Sequence, residues 1–219
     1  TVGCEAMTAS QDNQSATTTD SPHRQESGPT PAGNPLLDVA YIAVFAALII
    51  ALAFVAIPVG AAGVPIVLQN AAVILAGLIL GRTRGFLTAL LFLGLGLIGL
   101  PVLAGGKTTL AALGGPTIGY LVGYLVSATV AGSIAYLAPR GNRKALTIYL
   151  ALGAIAALAC QYLCGSVGMM FRADMSFGQA LAVNVPFLIP DLIKAACAVA
   201  IASGVHLSLP DIRRKAFLK

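Results

Sequence analysis

From about residue 38 onward the chain reads as long apolar runs separated by short polar or basic gaps. The runs lie near 38–57, 65–81, 85–100, 116–138, 145–165 and 190–208, and none shows the strict alternation that a membrane β-barrel needs. Runs of this length predict membrane-crossing helices. The expected fold is therefore all-α, a polytopic membrane protein with a six-transmembrane-helix bundle. Several runs are short, which predicts tilted neighbours covering their ends or a locally thin bilayer.

The gaps differ in kind. RTR and PRGNRK are short and basic. Placing them with the two tails on one side collects Arg24, Arg82, Arg84, Arg140, Arg143, Lys144, Arg213, Arg214, Lys215 and Lys219, against Lys107 and Arg172 on the other. Ten against two predicts a multi-pass protein of the cell membrane with both termini cytoplasmic. The two external gaps are longer and apolar. Residues 101–115 are Gly-rich, and 166–189 contains Ser176-Phe177-Gly178-Gln179, a capping-box pattern that predicts a short helix. Apolar external loops are expected to fold back over the bundle as re-entrant or lid-like segments.

Three regions follow. Residues 1–35 are rich in Ser, Thr, Gln, Asp, Pro and Gly, bury too little surface to offset their ordering entropy, and are expected to form a disordered cytoplasmic tail. They contain no apolar core of the kind a signal peptide needs. Residues 36–210 form the membrane domain, and 211–219 a basic cytoplasmic C-terminus. Within the domain, Gly115, Gly119, Gly123, Ser127, Ala131 and Ala135 recur every four residues, as do Ala43, Ala47 and Ala51. Such stripes let another backbone approach closely, inside the bundle or on a partner protein.

Composition supports the membrane class: 58% of residues are hydrophobic and 10% charged, against roughly 25% charged in a soluble domain. The net charge of +5 is spread among the gaps without aromatic interleaving, which argues against a nucleic-acid partner and for the lipid bilayer. Cys160 and Cys164 share a helix face with no His or third Cys beside them, so they read as small buried hydrophobes and no metal or other cofactor is expected. Enzyme chemistry is not expected either. His23 lies in the tail, His206 is placed at the cytoplasmic end of the last run, and no Ser/His/Asp set can be assembled. Gly106-Lys107-Thr108 resembles the end of a phosphate loop, but position 101 is Pro where that loop needs Gly. Any ATP-driven step must come from another subunit.

Asp191 and Lys194 stand inside the last apolar run. A charge at a helix centre costs about 2.5–3.5 kcal/mol on insertion scales, so such residues are site candidates. Three residues apart, they share one face and can reach one object. Pro190 is expected to open this helix at the external side, which would put Asp191 in the first turn, where the helix dipole favours an anion. The plainer alternative is an Asp–Lys pair that only locks the helix.

Several segments resemble one family. Val64-Pro65-Ile66-Val67-Leu68-Gln69 resembles the P-[IL]-x-L-Q segment of the BioY family. Gly96-Leu97-Ile98-Gly99-Leu100-Pro101-Val102 followed by Gly114-Gly115-Pro116-Thr117-Ile118-Gly119-Tyr120 resembles its GxxGxPV…GPTxGY core, and Pro186 to Lys194 resembles its PFxxxDxxK segment. The blocks fall in order and cover nearly all of 38–205. The resemblance implies a biotin-binding S component of an energy-coupling factor transporter. Such a component has an external biotin site and works with a transmembrane coupling subunit and two ATPase subunits. It implies that Asp191 and Lys194 line the site. Gln69, Thr117 and Tyr120, carried by the other blocks, complete the candidate substrate-binding set. Ala43 and Ala47 are the nearest match to the family's AxxxA contact with the coupling subunit. Leu103 stands where the family often has an aromatic residue.

The chemistry agrees with that implication. A carboxylate such as Asp191 can accept N–H bonds from the ureido ring of biotin, while an ammonium such as Lys194 can hold its carboxylate, and apolar lids would strengthen both contacts. A competing reading is a self-sufficient secondary transporter of a small carboxylate-bearing vitamin with Asp191 as proton carrier, although no convincing internal repeat is found.

Overall fold

The structure is a computed structural model and describes residues 35–57, 66–209 and 212. The expected tail, Pro35 apart, and the basic C-terminus, Ile212 apart, lie outside the described residues, as do Val64 and Pro65.

The described chain is helical, with one two-residue strand pair. In order come α1 (Pro35–Ala53), β1 (Ala56–Ile57), β2 (Ile66–Val67), α2 (Gln69–Leu80), α3 (Arg82–Leu97), α4 (Thr109–Leu113), α5 (Ile118–Ala135), α6 (Arg143–Ala173), α7 (Phe177–Ala182) and α8 (Val185–Ser208). β1 and β2 pair antiparallel, Ala56 opposite Val67. Four helices (α1, α5, α6 and α8) are long and apolar enough to cross a membrane by length and composition. Their outward faces carry Val44, Val122, Ile155, Ile193 and Ile201, all exposed, as surfaces meeting hydrocarbon do.

Helix α2 forms the centre. Ten of its 12 residues, all but Asn70 and Ala71, are buried. It contributes Ile74, Leu78 and Ile79 to a core shared with α5, α6 and α8, and Ala72, Val73 and Ala76 to a second core shared with α1, α3 and α5. At 1.5 Å per residue it spans about 18 Å of a roughly 30 Å hydrocarbon layer. Its N-terminal end continues back into the extended residues of β2.

Close backbone approach shapes the rest. The small-residue stripe of α5 packs inside the bundle, against α6. A Cβ placed on Gly119 would lie 2.0 Å from the Cys164 carbonyl oxygen, and one on Gly123 3.2 Å from Gln161 Cα. The stripe of α1 behaves differently, with Ala43, Ala47 and Ala51 all exposed. Gly81, at φ +86°, turns α2 into α3, and Tyr136 closes over that turn by donating to the Ile79 carbonyl at 2.8 Å.

Both of the longer apolar gaps pack against the helices. Val102 and Leu103 are buried with α3 and α5, and Leu103 pairs with Lys107 across a tight turn carrying Gly105 and Gly106 at positive φ. Lys107 is exposed. In the second gap α6 runs on to Ala173, eight residues past the expected end, and Ser176–Gln179 forms the expected capping box that opens α7.

The start of the last helix differs from expectation. It begins at Val185 with Pro186 in its first turn, and Pro190 lies inside it. The missing N–H of Pro190 would have faced the Pro186 carbonyl, near the end of the helix, where a lost bond costs least. Asp191 is therefore the seventh helical residue, and the dipole argument for an anion there does not apply.

Candidate functional site

Asp191 and Lys194 lie on the inward face of α8, and both are largely buried: Asp191 is 6% exposed, and the Lys194 side chain 11%. They form an ion pair with each other. Each also reaches a different helix. Tyr162 Oη of α6 donates to Asp191 Oδ2 at 2.7 Å. Lys194 Nζ donates to the Val67 carbonyl at 2.8 Å and to Asn70 Oδ1 at 3.0 Å, joining α8 to the stretch where β2 enters α2. The local logic is clear. The short α2 leaves non-helical backbone at Val67, and a part-buried carbonyl there is satisfied by a donor from another helix.

A second layer holds this one. Gln161, one residue from Tyr162, donates to the Asn70 carbonyl at 3.3 Å and to Ser127 Oγ at 3.0 Å. The polar belt thus runs through α2, α5, α6 and α8. Its capacity is uneven. All three ammonium donors of Lys194 are committed, to Asp191, Val67 and Asn70, whereas the Asp191 carboxylate accepts from two partners and retains lone pairs for more. A ligand could bond to Asp191 directly but would have to displace a partner of Lys194.

The other candidates divide. Gln69 is buried beside Asn70, with its amide donating to the Val102 carbonyl at 2.8 Å; it ties the segment between α3 and α4 to the head of α2. Tyr120 is half-buried and donates to Asn184 Oδ1, at the entrance to α8. The amide nitrogen of Asn184 in turn reaches Ser166 Oγ at 3.0 Å and the Ala180 carbonyl at 3.2 Å. Thr117 is exposed at the start of α5 and makes no side-chain cap bond. Ala43 and Ala47 lie on the exposed face of α1, remote in kind from this belt. Among the described residues no cluster of His, Cys, Asp and Glu could hold a metal ion.

Tyr162, Asn70, Gln161 and Asn184 did not emerge from the sequence. Amides inside apolar runs carry a signal, since a polar group in hydrocarbon needs a partner. That signal names no partner: Lys194 and Asn70 are 124 residues apart. A second buried ion pair was also missed. Arg84 Nη2 meets Asp38 Oδ1 at 2.5 Å, with both side chains buried and the guanidinium 5.9 Å from the Tyr41 ring centre. Charge counting assigned Arg84 to a cytoplasmic gap, but α3 already begins at Arg82.

Comparison with known proteins places this geometry in context. Residues 22–211 match the family described as the BioY family. A protein of Rhodobacter capsulatus named biotin transporter BioY is 42% identical over 168 residues, covering 72% of this chain and 86% of the relative. One of Rhizobium etli with the same name is 34% identical, covering 82% and 98%, and one of Thermotoga maritima 37% identical, covering 73% and 89%. Among solved structures, the S-component for biotin from an ECF-type ABC transporter superposes with a TM-score of 0.69 at 31% identity, covering 78% of this chain and 92% of that one.

Proposed function

The chain belongs to the BioY family, and from that premise we propose that it captures biotin at the Asp191–Lys194 belt and delivers it to an energy-coupling module. It is a biotin-binding membrane subunit and not an enzyme. The single observation that supports the site is a buried ion pair with unequal hydrogen-bond capacity, at the junction of three helices.

The binding step follows from that inequality. Asp191, already oriented by Tyr162, takes the ureido N–H groups of biotin on its unused lone pairs. Lys194 exchanges one of its acceptors for a ligand oxygen, so that every charge stays paired throughout. The Val102–Leu103 segment and the Asn184 junction fold over the ligand as lids, held by Gln69 and Tyr120. Thr117, exposed at the foot of α5, belongs to the rim of this site. Six crossings with both termini in the cytoplasm fit the asymmetry of basic residues. The exposed Ala43–Ala47 face of α1 is the surface for the transmembrane coupling subunit, and two ATPase subunits supply the energy.

Vesicles containing the protein alone should bind biotin without accumulating it, and accumulation should require the coupling subunit, the ATPases and ATP. Uptake by the lone protein driven by a pH gradient would instead mark a secondary transporter.

A further inference from the structure

The contact between α5 and α6 has an outer side that faces the bilayer. A Cβ on Gly168 would lie 2.5 Å from the Gly119 nitrogen, so the two helices touch backbone to backbone. This leaves a groove of about 460 Å³, floored by Gly119 and Gly168 and walled by Val122, Leu163 and Val167. The three walls are 53%, 50% and 44% exposed, which leaves the groove open to its surroundings.

One end of the groove is not apolar. Arg172 lines it from the last turn of α6. The helix has 31 residues, about 46 Å at 1.5 Å per residue, against roughly 30 Å of hydrocarbon. At that rise Arg172 stands about 13 Å further along the helix than Leu163 and about 7 Å further than Val167, so the charge sits at one end of the groove and the apolar walls run away from it. Its Nη2 donates to the Leu113 carbonyl at 3.2 Å. Among the described residues it has no carboxylate within ion-pair distance, Asp174 included. An exposed guanidinium with donors to spare is suited to fork onto a phosphate.

We propose that this groove is a binding site for an anionic glycerophospholipid, one acyl chain lying along Gly119 and Gly168 and the headgroup phosphate held by Arg172. The charge at one end and the purely apolar channel below it match the two halves of such a lipid.

The chain contains no tryptophan, so Val122→Trp and Val167→Trp each create a single reporter in the groove. With the full chain in bilayers, phosphatidylglycerol with brominated acyl chains should quench either reporter about fivefold more effectively than brominated phosphatidylcholine, the factor expected of one interfacial arginine. Adding Arg172→Gln should remove that preference. Equal quenching by the two lipids, or a preference that survives Arg172→Gln, overturns the proposal. Absence of quenching at both positions also overturns it and points to a helix of a partner or second copy in the groove. Mass spectrometry of the chain without tryptophan gives an independent readout, with retained phosphatidylglycerol expected to fall on Arg172→Gln and an unchanged amount contradicting the assignment.

Discussion

Each charge of the Asp191–Lys194 pair is compensated by the other and by a neutral group on another helix. That arrangement answers the cost of burial and also sets what each substitution does. Asp191→Asn removes the charge that faces Lys194, and Lys194→Ala leaves the Val67 carbonyl and Asn70 without their donor. Each should weaken biotin binding by about tenfold or more, some 1.4 kcal/mol or above, while the protein still inserts. Tyr162→Phe deletes one hydrogen bond to a carboxylate and should weaken binding by about three- to tenfold in an equilibrium binding assay. Unchanged affinity in Tyr162→Phe would show that the hydroxyl does not orient Asp191. The charged pair was legible in the sequence because a charge in an apolar run stands out. Tyr162 was not, because a tyrosine in such a run is common and nothing along the chain ties it to a residue 29 positions away.

At the level of elements, glycine and proline give opposite lessons. The four-residue stripe of α5 announced a close helix contact, and the structure locates it on α6. Gly119→Ala would drive a methyl into the Cys164 carbonyl, so it should lower the unfolding temperature in detergent sharply. Gly204→Ala on α8 meets nothing within 4 Å and should be neutral or slightly stabilising, since alanine is the better helix former. Equal effects of the two would contradict the packing described. Proline misled, because Pro190 looked like a boundary while Pro186 serves as one. A proline at the sixth position of a helix and one at its second read alike until the neighbouring turn is known. The α1–α3 contact was hidden for another reason. Arg84 looked like a topology signal, yet it is buried against Asp38, 46 positions earlier. Asp38→Ala should destabilise the fold by about 3 kcal/mol by withdrawing the carboxylate from that guanidinium, measurable as a loss of folded protein on mild heating.

For the whole molecule, class and helix order were readable because hydrocarbon imposes long apolar segments and basic gaps. The three-dimensional pairing of helices was not, since apolar faces are interchangeable until small residues and polar groups choose partners. The short, buried α2 is the consequence with most bearing on function. By beginning only at Gln69 it leaves Val67 outside the helix and places Val67 and Asn70 beside Lys194, and so creates a polar site in an apolar bundle. On the function proposed above, such a molecule captures biotin and leaves the work of release to its partners. The most direct test is equilibrium binding of radiolabelled biotin to the purified chain, alone and as Asp191→Asn and Lys194→Ala. Saturable binding at one biotin per chain, weakened about tenfold or more in both variants, is the result expected. Failure of the unmodified chain to bind biotin, or undiminished binding in both variants, would contradict it.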